Sequence, residues 1–209
     1  MGIFDSSKKK NGVHTEWIYD GKVKREGTYK NGKLNGLFTE FYENGQISSV
    51  GTYKDGKLDG KVTTYHEDGK EPNEQELFGN KSGELFYKDG KEHGMWTTWF
   101  KNGFKEVMVK YENGVEHGPF CLWYDNGKEH SMGIKKNGEY DGIVTMFYEN
   151  GNKKSEGVFK DGKLDGFLSK WYENGIPETT EIYENGELVH KNSLNEDGSV
   201  KEWLNEKRI

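Results

Sequence analysis

Glycine returns at a fixed interval along this chain: Gly12, Gly36, Gly60, Gly94, Gly118, Gly142 and Gly166 open seven copies of one phrase. Five of the six gaps are 24 residues and the sixth, from Gly60 to Gly94, is 34, so one copy carries ten extra residues. An eighth, worn copy begins near His190, where the glycine is missing. A period of this size marks a repeat array, in which each unit stacks on its neighbours. Arrays of this kind present surfaces rather than enclose reaction sites. The repeat runs through nearly all 209 residues, so the sequence reads as one elongated domain: a lead-in over 1–11, the array over 12–189 with its ten-residue insertion within 70–83, and a cap over 190–209.

One copy, Gly36 to Gly60, is enough to read the local structure. Leu37-Phe38-Thr39-Glu40-Phe41-Tyr42 is rich in aromatic and β-branched residues and too short for a helix. Glu43-Asn44-Gly45 follows, and Asn-Gly is expected to give a type I′ hairpin turn with two residues at positive φ. A second extended run, Gln46 to Lys54, returns, and Asp55-Gly56 reverses the chain again. Each copy is thus two antiparallel strands and two reversals. The expected fold is all-β, a single twisted antiparallel sheet of stacked hairpins with roughly 14 to 16 strands. Only three prolines occur, which suits strands that need their amide donors.

Aligned copies resolve into columns. Five residues after each opening glycine stand Trp17, Phe41, Tyr65, Trp99, Trp123, Phe147 and Trp171. The next column holds Ile18, Tyr42, His66, Phe100, Tyr124, Tyr148 and Tyr172. Three residues after the glycine come Thr15, Thr39, Thr63, Thr97, Cys121, Thr145 and Ser169. Side chains alternate across a strand, so the first aromatic column shares a face with the Thr column. That column is expected to form the core. The phenols, which join apolar area to a polar tip, are expected to be the contact surface, with Tyr42, Phe100, Tyr124, Tyr148 and Tyr172 as partner-binding residues. Cys121, in the Thr column, reads as a small packed residue.

Composition decides several negatives. Hydrophobic residues make up 31% and charged ones 32%, a balance that leans toward disorder, but aromatics at 14% recurring in register argue for a thin ordered structure. The net charge of −6 disfavours a nucleic-acid backbone and anionic lipid as partners and suits a basic protein. A lone cysteine excludes an internal disulfide and fits a reducing compartment, so a soluble, cytoplasmic protein is expected. No stretch approaches the ~18 apolar residues of a membrane span. Met1-Gly2-Ile3-Phe4-Asp5-Ser6 matches an acylation pattern beside Lys8 to Lys10, but such a six-residue pattern is loose, and an unstructured lead-in is the reading.

The residues of catalysis are not arranged for it. His93 and His117 share a column, yet one repeat apart means about 10 Å between backbones, too far for two ligands of one zinc. No Gly-Lys-[Ser/Thr] phosphate loop occurs, and no carboxylate pair stands out. A non-enzymatic protein without cofactor or metal is expected.

The phrases Gly27-TYKNGKLN-Gly36, Gly51-TYKDGKLD-Gly60 and Gly157-VFKDGKLD-Gly166 resemble MORN repeats. The aromatic-Tyr-Glu-Asn-Gly block at Phe41 to Gly45, Phe147 to Gly151 and Trp171 to Gly175 resembles the bacterial variant of that repeat. The resemblance covers residues 12 to 190. It implies a long sheet of hairpins, and an antitoxin or immunity role in which the chain occludes a cognate toxin. The other role it implies is a scaffold for proteins, with or without membrane attachment. The sequence leaves open whether sheet edges pair to form dimers.

Overall fold

The computed structural model describes residues 11–17, 23–67 and 79–204. Residues 1–10 of the lead-in, Ile18, residues 70–78 of the insertion range and residues 205–209 of the cap fall outside them. Nineteen strands and no helix occur among the described residues, and the strands form an antiparallel sheet in hairpin order that does not close into a barrel. Three of the strands are two-residue pieces cut from a longer one, so sixteen extended segments underlie the nineteen.

The described residues fall into two compact units. One runs to Gly103 and includes Glu112–Gly114; the other comprises Phe104–Tyr111 and Val115 onward. The first unit holds β1 (Gly12–Trp17), β2 (Val23–Lys30), β3 (Lys33–Phe41), β4 (Ile47–Lys54), β5 (Lys57–Leu58), β6 (Gly60–Tyr65), β7 (Lys81–Lys88), β8 (Lys91–Glu92) and β9 (Gly94–Trp99). Most of β10 (Lys105–Glu112) belongs to the second, with β11 (Val115–Trp123), β12 (Glu129–Lys136), β13 (Glu139–Tyr140), β14 (Gly142–Phe147), β15 (Lys153–Lys160), β16 (Lys163–Trp171), β17 (Pro177–Glu184), β18 (Glu187–Leu194) and β19 (Val200–Leu204). The worn last copy therefore still folds as a hairpin, β18 with β19.

The two reversals of each copy differ, and the expected type I′ turn lies in the other one. At Asp55-Gly56 the φ angles are 51° and 85°, between the paired Lys54 and Lys57, as a two-residue type I′ turn demands. At Asn44-Gly45 only Gly45 has positive φ, 87°. Gly45 N–H donates to Tyr42 O at 2.9 Å and Tyr42 N–H to Gln46 O at 2.8 Å, a three-residue loop in which a turn is followed by a glycine bulge. Asn44 is held there by its own side chain, whose Oδ1 accepts the Gln46 N–H at 2.9 Å. Loop length, rather than the dipeptide, selects the turn.

The buried residues also differ from expectation. Phe38, Val62, Phe120 and Val144, two positions after their glycines, are 3–7% exposed. The aromatic column assigned to the core is half-buried, and Trp17 is 62% exposed. The reason lies in strand pairing. Phe38 is registered against both Gly27 and Gly51, so each large side chain faces a residue with none and fills the space above it. A Cβ on Gly51 would lie 2.9 Å from Val62 Cγ2, and one on Gly157 3.0 Å from Leu168 Cδ1. Aromatic rings extend this layer edge to face, as in Phe38–Tyr53 at 5.2 Å and Tyr140–Phe159 at 5.4 Å between centroids.

Candidate partner-binding surface

Neighbouring copies are tied together at both ends of their hairpins. At the type I′ end, the turn glycine donates its N–H one copy back: Gly56 to Leu34 O at 2.8 Å, Gly90 to Leu58 O at 2.7 Å, Gly162 to Tyr140 O at 3.0 Å. At the opposite end the tie is made by the Tyr column. Tyr42 OH donates to Tyr65 O at 2.6 Å, Tyr124 OH to Phe147 O at 2.8 Å, Tyr148 OH to Trp171 O at 2.9 Å and Tyr172 OH to Leu194 O at 3.1 Å. His66 Nε2 makes the equivalent contact to Trp99 O at 2.7 Å. Phe100 has no hydroxyl to donate.

The five residues read from the sequence as partner-binding thus stand beside the turns of their own units, Tyr42 and Phe100 in the first and Tyr124, Tyr148 and Tyr172 in the second, all half-buried. Four of them spend their polar tips inside the array. Burial pushes the hydroxyls of Tyr42, Tyr124 and Tyr148 above the usual phenol range, with carboxylates adding to it: Glu67 for Tyr42, Glu149 for Tyr124, Glu178 and Glu173 for Tyr148. They remain protonated donors.

A different row is apolar and open. In the second unit the residues one position after the glycines are registered against partners on the returning strands: Pro119 with Ile134, Ile143 with Val158, Phe167 with Ile182. Alternation puts this row on the face opposite Phe120 and Val144. Ile134 is 51% and Ile143 54% exposed. Charges border the row and are satisfied locally, Lys153 with Glu156 at 2.6 Å and Lys136 with Asp141 at 3.8 Å. The first unit exposes Val13, Leu37 and Phe86 at corresponding positions. No reading of a single copy finds this row, because its two halves meet only through pairing.

The other residues considered from sequence fall as follows. Cys121 is buried, and burial pushes its thiol up to about 11, with Glu129 adding to it and Lys105 opposing it, so it stays unreactive. His130 packs edge-on against Tyr124 at 4.8 Å. Among the described residues no three of His, Cys, Asp and Glu are grouped as a metal site requires. No helix among them is long and apolar enough to cross a membrane. The extended row of neutral side chains, without a cluster of reactive groups, has the chemistry of a contact surface.

No curated protein matches the chain. Three segments, 10–31, 34–55 and 140–161, match the family model for the MORN repeat variant, so these stretches of the chain are similar to MORN repeats.

Proposed function

We propose that this chain is a non-enzymatic protein-binding repeat protein whose second unit offers the row Pro119, Ile134, Ile143, Val158, Phe167 and Ile182 to a partner. The observation that carries this reading is the exposure of Ile134 and Ile143 in the middle of a continuous apolar row. Burial of such a row is worth about 25 cal/mol per Å² removed from water, and paired charges at its edge form the polar rim of an interface. Tyr42 and Phe100 in the first unit, and Tyr124, Tyr148 and Tyr172 in the second, add contacts through their ring faces, since the hydroxyls of the four tyrosines are already engaged.

The finer proposal is an antitoxin or immunity protein that lies across a cognate toxin and occludes its active site. Its support is the resemblance of the aromatic-Tyr-Glu-Asn-Gly block to the bacterial repeat, together with a net charge of −6, which speeds encounter with a basic partner. The test is capture by the full chain from its native cell, set beside the Ile134→Asp/Ile143→Asp variant. The expected result is one stoichiometric partner, toxic when expressed alone, harmless beside this chain, and lost from the variant. Several substoichiometric partners or lipid would overturn the antitoxin proposal in favour of a scaffold; capture unchanged in the variant would overturn the contact row.

A further inference from the structure

In the first unit, two columns change character together. Where Thr28 and Thr52 stand in earlier copies there is Phe86, and where Asn35 and Asp59 stand there is His93. The Phe86 carbonyl accepts both the His93 backbone N–H at 2.8 Å and the Trp96 indole N–H at 3.1 Å. Held by those bonds, the Phe86 side chain is 38% exposed and, beside Met95, forms the apolar floor of an open groove of about 670 Å³. His93 borders the groove with a buried Nδ1 that has no hydrogen-bond partner.

The rim carries Lys54, Lys88, Asp59 and Asp89. Some lysines elsewhere on the sheet find carboxylates: Lys61 and Lys81 hold Glu84 at 2.7 and 2.5 Å, and Lys135 holds Glu116. Among the described residues, none of the four rim groups is in an ion pair; Asp59 Oδ2 only accepts the Asp89 backbone N–H at 3.2 Å. A rim with two charges of each sign is no trap for a bare anion. It fits an occupant that carries both signs around an apolar centre.

We propose that this groove receives an extended segment of a partner protein in which one aromatic or aliphatic side chain is flanked by a basic and an acidic residue. The inference rests on the protein-binding reading and names the chemistry of one partner segment. The apolar side chain lies on Phe86 and Met95, its flanking charges meet the carboxylates and ammonium groups of the rim, and the segment passes beside the His93 residue that borders the groove. Side chains at alternate positions of an extended chain share a face about 6.6 Å apart, so three of them span the two adjacent copies that build the groove.

The probe is the peptide acetyl-Lys-Ser-Phe-Ser-Glu-amide, titrated into the isotope-labelled full chain while the His93 ring resonances are followed. Saturable movement of those resonances is expected, together with affinity weakened roughly tenfold in Phe86→Thr. That substitution restores the residue of the two preceding copies and leaves the sheet intact. The Ile134→Asp/Ile143→Asp variant is expected to bind the peptide as the parent does. No saturable shift, equal binding of the peptide with Ser in place of Phe, or unchanged affinity in Phe86→Thr would each overturn the proposal. Should the peptide fail while capture of a partner is still lost in the isoleucine variant, the groove is wrong and the protein-binding function stands.

Discussion

The Lys153 ammonium lies 5.7 Å from the centre of the Trp171 ring, one copy further along the chain. The same relationship joins Lys81 to Trp99 at 5.4 Å and Lys105 to Trp123 at 5.5 Å. Where the cationic position holds Val23, Ile47 or Glu129 instead, the ring one copy on is Phe41, Tyr65 or Phe147, never tryptophan. Tryptophan has the ring face most attractive to a cation, so the pairing of residue types follows from their contact. Lys153 also holds Glu156, which accepts from the buried Thr145 at 3.2 Å, and this chain of contacts couples one copy to the next.

A double-mutant cycle of Lys153→Gln and Trp171→Leu isolates that contact, because the loss of the Glu156 partner is common to both backgrounds. The expected coupling is ~0.5–1 kcal/mol, the range for a cation over an exposed ring. Urea denaturation midpoints of the four proteins measure it; additive effects would mean that lysine and ring do not interact.

Gly133→Ala is expected to destabilise by ~1–3 kcal/mol, the range for overpacking a filled core. A Cβ there would meet Phe120 Cε1 at 2.9 Å, Val144 Cγ2 at 3.0 Å and the Ile143 carbonyl oxygen at 3.1 Å, and the last is backbone that cannot turn aside. Gly27→Ala serves as the contrast. Its Cβ would meet Leu34 Cδ2 at 2.5 Å, the far end of a side chain that can change rotamer, so a smaller loss is expected. Thermal unfolding of both variants checks the order.

The period, the hairpins and the strand class were legible because glycine, Asn-Gly and Asp-Gly recur as residue types. Pairing across copies was not. The core at Phe38 and Phe120 depends on which glycine faces each ring, and a strand's register partner is not written in its own residues. Tyr148 looked like an unfilled phenol, since the acceptor of its proton is the backbone carbonyl of Trp171, which any residue would supply. Asn31 and Asn44 precede glycine alike, yet only Asn31 has positive φ, 51°, because its loop is the short one. The apolar row through Ile143 and Val158 is split between two strands and becomes a row only when they pair.

Tyr148→Phe keeps the ring and removes one rung. The loss is expected to be ~0.5–1 kcal/mol, the lower part of the range for a neutral hydrogen bond because the site is half exposed. Burial, then Glu178 and Glu173, raise the Tyr148 hydroxyl above its ordinary value, so its contribution is complete below the unfolded phenol pKa of about 10 and disappears as pH rises through the folded value. The gap between parent and variant should therefore close in alkali, which denaturation midpoints from neutral pH upward would reveal. A constant gap would mean that the hydroxyl does not act as a donor.

Glu181 stands where Gly27, Gly51, Gly133 and Gly157 stand in other copies, and it is 2% exposed. Three groups make that burial tolerable: Lys191 at 3.0 Å, Lys170 at 3.6 Å, and the Tyr183 hydroxyl, which donates at 2.9 Å. Burial, the largest influence, pushes the carboxyl upward, but the hydrogen bonds from Lys191 and Tyr183 and the charges of Lys170 and Lys191 together outweigh it, and the net direction is below the usual carboxylate range. A lowered folded pKa means stability that is present above the unfolded glutamate value, near 4.3, and is lost as pH falls through the folded one. Glu181→Gln removes that dependence while nearly preserving volume. It is expected to cost ~1.5–3 kcal/mol at neutral pH, the range for a hydrogen bond to a charged group, and the deficit should shrink as the parent is acidified. Denaturation midpoints of both proteins between neutral pH and pH ~3 decide it. Parallel curves would mean that the lysines neutralise a carboxylate the fold does not depend on. Converging curves would mean that the last full copy has exchanged the glycine packing of four other copies for an internal ion cluster.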